Sequence, residues 1–276
     1  MTGGAAIRVH SWLLGLLPLL GGCASTHETP PAALTRESLY DKGHRLYLER
    51  HYDSAAVALR AAYEMDTTFS DPLSDLAQLH FDRGMIDTSM SPDRVRDLRL
   101  SLDYYMMLER SGRQDSDTYE RLCAVALALD HPATFLAYAK KNADRYPFDR
   151  QLYNLGIAYY KTGDYQSSIR VLREATRRFR DSEYIGGMYR QLGRSYMSVD
   201  RNQTAEKMFS EGLSVVDETL AGMRHAGVEK SSAATTRLAE DRIGMLLSLK
   251  GLHILYREAE KLARVEQLLR ETGYSK

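Results

Sequence analysis

Side chains able to do chemistry are scattered through this sequence rather than gathered. It holds no G-x-S-x-G elbow for a serine nucleophile, no P-loop, no H-E-x-x-H pair and no C-x-x-C. His44 and His51 are spaced to share a helix face, but a zinc site needs further ligands that the pattern does not supply. Acidic pairs such as Glu37 and Asp41 are ordinary helix-surface charges. Arg173, Arg177, Arg178 and Arg180 read as a solvated helix end whose cations face the negative pole of the macrodipole. Two cysteines, Cys23 and Cys123, do not make a disulfide framework. No catalytic residue, metal or cofactor is expected, and binding is the function left standing.

The elements that must position a binding surface are helical. The chain has 276 residues, 43% of them hydrophobic, enough for one or two domains with a proper core. Its 37 basic residues balance 37 acidic ones, so no net field favours nucleic acid or an acidic membrane. Between Asp149 and Arg180, Leu152, Leu155 and Tyr159 recur at helical spacing, as do Ile169, Leu172 and Ala175. Gly163-Asp164 between them is a turn signal. The pattern predicts two short amphipathic helices joined by a tight turn.

This stretch closely resembles a tetratricopeptide (TPR) repeat. Leu152, Leu155-Gly156, Tyr159, Gly163, Tyr165, Leu172 and Ala175 fit that family's pattern, while Ser168 and Arg180 replace its usual Ala and Pro. One helix pair cannot bury its apolar face, so neighbours of the same kind are required. Leu39 to Met65 matches, with Gly43 as the close-contact glycine and Ala55, Leu59 and Ala62 on the core face. Asp71-Pro72 opens an irregular repeat interrupted by an insertion from Met85 to Asp93. A third repeat is capped by Ser116 or Asp117 and turns at Asp130-His131-Pro132; a fifth carries Tyr189, Leu192-Gly193 and Tyr196. The resemblance implies an all-α fold, a right-handed superhelical solenoid of about five TPR repeats over residues 35–225. Residues 227–235 read as a loop and 226–276 as a helical cap or degenerate repeat lacking the turn residues. Cys123 takes the place of a signature glycine, as a small buried packing residue rather than a nucleophile.

The amino terminus reads as an address. Arg8 and His10 precede an apolar run from Trp12 to Leu20, roughly 9 residues against the ~20 that span a bilayer. Leu20-Gly21-Gly22-Cys23 resembles a bacterial lipobox. That resemblance implies a signal peptide over 1–22, acylation of Cys23 and a lipidated tether over 23–34; two or more acyl chains make a stable anchor. An ordinary signal peptide cut near Ala24 is the alternative. Ala24, rather than Asp, after the cysteine implies passage to the outer membrane, on its periplasmic side.

In TPR arrays the first helices line the concave face. Mapped onto this sequence, that face presents Tyr40, His44 and Tyr47, then Phe81, then Tyr153, Ile157 and Tyr160, then Arg190 and Arg194. Aromatic residues and Arg most often carry binding energy. The Lys and Asn residues of the family's chaperone-binding carboxylate clamp are missing. The reading is an envelope adaptor that binds a protein or peptide segment, with a membrane contact through its lipid and no nucleic acid. Lipoproteins of this build serve outer-membrane protein assembly, pilus biogenesis or cell-wall machinery. The alternative is a receptor for a glycan or small ligand.

Overall fold

The computed structural model describes residues 35–86, 89, 91–229 and 232–274. Cys23, the lipobox and the tether lie outside them. The described residues form twelve α-helices and no strands. They run in hairpins: α1 (Arg36–Leu48) with α2 (Tyr52–Met65), α3 (Asp71–Ile86) with α4 (Pro92–Arg110), and α5 (Ser116–Ala128) with α6 (Pro132–Arg145). Then follow α7 (Asp149–Lys161) with α8 (Tyr165–Arg178), α9 (Ile185–Met197) with α10 (Asn202–His225), and α11 (Ala233–Leu255) with α12 (Ala259–Glu271). None is long and apolar enough to cross a membrane.

Five of the six hairpins close through one turn. A residue in the left-handed region stands two places before the second helix: Arg50, Asp130, Gly163, Asp200 and Arg257. The amide after it donates five residues back to the first helix, as Asp164 does to the Tyr159 carbonyl (3.0 Å) and Arg201 to that of Tyr196 (3.0 Å). This caps the carbonyls that a helix end leaves free. Only Gly163 adopts the conformation without a Cβ penalty, and Asp tolerates it better than most residues. The turn before α12 keeps the geometry with Arg257, and the Glu258 amide donates to the His253 carbonyl at 2.9 Å. The family's turn residues are missing there, and hydrogen bonding supplies what residue type does not announce.

Within a hairpin the helices meet where the first has no side chain. A Cβ on Gly43 would lie 2.7 Å from Leu59, and one on Gly156 would lie 2.5 Å from Leu172. At Gly193 the ring of Phe209, itself fully buried, occupies that space. Where Cys123 replaces the glycine it is buried too, and the buried residue sixteen places on is the small Ala139. The apolar stripe that α7 and α8 bury (Leu152, Leu155, Ile169, Leu172 and Ala175) is the one that the sequence spacing marks.

The α3/α4 hairpin holds the insertion. Met85 and Ile86 end α3 and Pro92 and Asp93 open α4, so both ends of the insertion are helical. Ser101 donates to the Ala77 carbonyl 24 residues before it, as Ser168 does to Gly156 only 12 before it. The added helix is stabilised by its own close contact, Leu98 against Gly84, and by a Ser91 cap with Pro92 in the first turn. It also buries a polar group, Asp97, which bonds His80 Nδ1 at 2.8 Å and Arg83 Nε at 3.2 Å.

Two further boundaries move. Asp115, not Ser116 or Asp117, caps α5, its carboxylate accepting the Thr118 amide at 2.8 Å. α11 starts at Ala233, capped by Ser232, so the loop expected to reach residue 235 ends earlier. The core forms one continuous cluster from Leu73 to Leu269, with a smaller cluster of Ala55, Ala56, Leu59, Leu76 and Leu79 under the first hairpin.

Candidate ligand-binding groove

Among helices two apart in the chain, the substantial contacts join odd-numbered ones: α1 with α3, α7 with α9, and α9 with α11. First helices thus stack along one face and second helices cover the other. The expected groove residues lie on that first-helix face, and most are already partnered across to the next first helix. His44 bonds Asp75 at 2.6 Å, and the Tyr47 hydroxyl donates to Asp82 at 2.6 Å. The Tyr40 ring lies beside His44 and edge-on to Phe69. Arg121 of α5 lies over Phe81 of α3, 4.8 Å from its centroid. Arg194 of α9 lies over Tyr160 of α7 at 5.1 Å. Ile157 is half-buried against the core. The groove is therefore walled by interactions that also fix the angle between repeats.

A pocket of about 360 Å³ opens where α5, α7, α9 and α11 converge. Leu127, Tyr153 and Tyr184 supply its apolar lining and Arg150, Arg190 and Arg237 its cations. Each guanidinium is held by a carboxylate: Arg150 by Glu120 at 2.5 Å, Arg190 by Asp241 at 3.0 Å and Arg237 by Glu183 at 2.7 Å. Arg237 also stacks over Tyr184 at 4.5 Å. Burial raises the Asp241 carboxyl to about 6, against the pull of Arg190 and Arg237. Burial also raises Glu120, partly offset by Arg150. The pocket thus offers aromatic faces rimmed by alternating charges, suited to a polar, partly planar segment and not to a greasy one.

Of the expected residues, the structure brings Tyr153 and Arg190 into this pocket and places Tyr160 and Arg194 together on the same two helices. Tyr153 is pressed against α9, its hydroxyl 2.6 Å from where a Cβ on Gly187 would stand. The ring therefore packs repeats together as well as facing the groove. Arg237 and Asp241 were not foreseen, because α11 reads as a terminal cap. The readable signal was Gly186-Gly187 at the start of α9, which lets α7 and α11 approach: a Cβ on Gly186 would meet Asp241 at 2.8 Å.

His44 and His51 are not brought together; His51 is exposed at the start of α2. A grouping from three separate segments, Glu206, His253 and Glu258, has potential metal-ligand atoms within 4.8 Å of one another. Its cation is already supplied, since Lys261 Nζ lies 2.8 Å from Glu206 and 2.9 Å from Glu258. Cys123 is buried and its thiol is pushed up to about 12 by that burial, which keeps it protonated and inert.

The tetratricopeptide-repeat family model matches residues 152–182, the α7/α8 hairpin, whose turn and glycine contact recur along the array. That hairpin is a tetratricopeptide repeat. Solved TPR structures share the chain's fold. YrrB, described as a TPR protein with an unusual peptide-binding site, superposes with a TM-score of 0.54 at 12% identity, over 69% of this chain and 91% of that one. MamA superposes with a TM-score of 0.51 at 15% identity, over 66% of this chain and 92% of that one. No curated protein matches the chain in sequence.

Proposed function

We propose that the chain is a lipid-anchored adaptor of the bacterial cell envelope, which holds a segment of another protein along its first-helix face. The pocket where α5, α7, α9 and α11 converge carries this reading. It joins residues of four hairpins into one recognition surface, and aromatic and Arg side chains of this kind dominate binding energy elsewhere. YrrB, of the same fold, is described as binding peptide. The lipobox-like Leu20-Gly21-Gly22-Cys23 supports acylation at Cys23 and residence at the outer membrane, facing the periplasm.

Crosslinking and pull-down from intact cells tests both halves. Recovery of an outer-membrane, pilus or cell-wall protein is expected. Tyr160→Ala with Arg194→Ala should reduce that recovery at least tenfold; because their contact also joins α7 to α9, circular dichroism and the urea midpoint check that the variant is folded. Recovery that survives the double variant would remove the groove from the reading. Cys23→Ala should move the protein from the membrane to the soluble fraction; membrane retention would remove the lipid anchor.

A further inference from the structure

We infer that the outer face of α8 is a docking surface for an anionic lipid bilayer. Arg170, Arg173 and Arg177 follow one another at helical spacing, so their side chains line one stripe of α8, and Arg180 continues the row just past its end. All four are exposed, and none has an ion-pair partner among the described residues. The sole acid within the helix, Glu174, is held by Arg178 at 2.9 Å, and the Asp164 cap lies near Arg170 alone, which leaves Arg173, Arg177 and Arg180 without a neighbouring carboxylate partner among the described residues. The opposite face of α8 buries Ser168, Ile169, Leu172, Ala175 and Thr176 in the core.

Helix stability does not account for this row. Arg170 and Arg173 stand outside the last turn, where the macrodipole favours a cation, and Arg173 and Arg177 repel each other one turn apart. A macrodipole explains only the last two arginines of the helix. The neutral net charge conceals the segregation, because acids elsewhere cancel these cations in the sum.

The form of the patch selects its partner. It is a row on the exposed face of a packed helix, without a cleft that would enclose a single phosphate or the stacking platform that a nucleic-acid strand uses. Phe148, 61% exposed, caps the start of α7 near the carboxyl-terminal end of α8, where Arg178 donates to the carbonyl of neighbouring Pro147 at 3.4 Å. Cations beside an exposed aromatic match a headgroup layer, in which charge attracts and the ring inserts shallowly. The proposal rests partly on the membrane-anchored reading, which would hold α8 near a bilayer. It adds that the array lies against the surface instead of swinging freely on its tether.

The test uses the full chain carrying Cys23→Ser, so that acylation plays no part. Co-sedimentation is measured with vesicles of phosphatidylcholine alone and with equal parts phosphatidylcholine and phosphatidylglycerol. Binding to the mixed vesicles only, weakening with salt, is expected. Arg170→Gln, Arg173→Gln, Arg177→Gln and Arg180→Gln together should lower that affinity roughly a hundredfold. The charge reversal Arg173→Glu with Arg177→Glu gives an independent second variant with the same expected direction, and circular dichroism reports whether each is folded. Indifference to phosphatidylglycerol, unchanged binding by folded variants, or tighter retention of single-stranded RNA than of vesicles would each overturn the proposal. Failure of Cys23→Ala to release the protein from cells bears on the anchor alone.

Discussion

Phe209→Ala should lower the unfolding free energy by about 3–5 kcal/mol. The ring is fully buried and fills the space that Gly193 leaves open in the facing helix. Truncation removes its apolar contacts and leaves a cavity bounded by helix backbone, which relaxes little. The converse change, Gly193→Ala, drives a methyl into the ring and should cost about 1–3 kcal/mol. The two are coupled. In the Phe209→Leu background the added methyl meets a smaller side chain, so Gly193→Ala should cost less there than in the wild type. Urea unfolding followed by circular dichroism gives all four corners of the cycle. A loss under ~1 kcal/mol for Phe209→Ala would mean that the hairpin closes over the gap and that the glycine contact is not its packing determinant.

Asp241→Asn should flatten the dependence of stability on pH between about 4 and 6.5. Asp241 is 4% exposed, and burial raises its carboxyl from 3.8 to about 6. The folded state therefore holds this proton more tightly than the unfolded chain does. The stabilisation is fully present below the unfolded value and is lost as pH rises through the folded one, by up to about 3 kcal/mol in linkage terms. Asp75 and Glu120, also raised by burial, tilt the curve the same way, so the slope should shrink and not vanish. Urea midpoints across this range for wild type and variant decide it. Parallel curves would show that Asp241 is as well solvated in the fold as out of it.

The parts of this molecule written in local pattern were legible, and those written in contact were not. Leu152, Leu155-Gly156, Tyr159 and Gly163 announce a hairpin because helix period, close approach and turn each leave a residue-type mark. The turn at Arg257 leaves none, since its geometry comes from backbone hydrogen bonds that any residue can make. The helical ends of the α3/α4 insertion leave no mark in the pattern, because their stabilising pairs, Gly84 with Leu98 and His80 with Asp97, are visible only once the helices lie side by side. In the groove, Tyr153, Tyr160, Arg190 and Arg194 could be placed from helix phase. Arg237 and Asp241 could not, because they enter from a helix whose phase against α9 depends on Gly186 and Gly187. The arginines of α8 are exposed at its carboxyl-terminal end as the sequence reads, but the row they form with Arg170 shows only once the buried face is fixed, since a chain-wide charge balance has no information about faces.

The small core beneath the first hairpin has a mechanical consequence. Ala55, Leu59, Leu76 and Leu79 form a cluster separate from the one that runs through the rest of the array, so α1 and α2 are joined to it chiefly through α3. In a linear array held together by neighbour contacts, load applied at one end is borne by the terminal interface before it reaches the interior. On the anchored reading, load arrives at the amino-terminal end. The first hairpin would then behave as a compliant coupling, peeling and re-docking under tension while the groove formed by α5, α7, α9 and α11 keeps its shape.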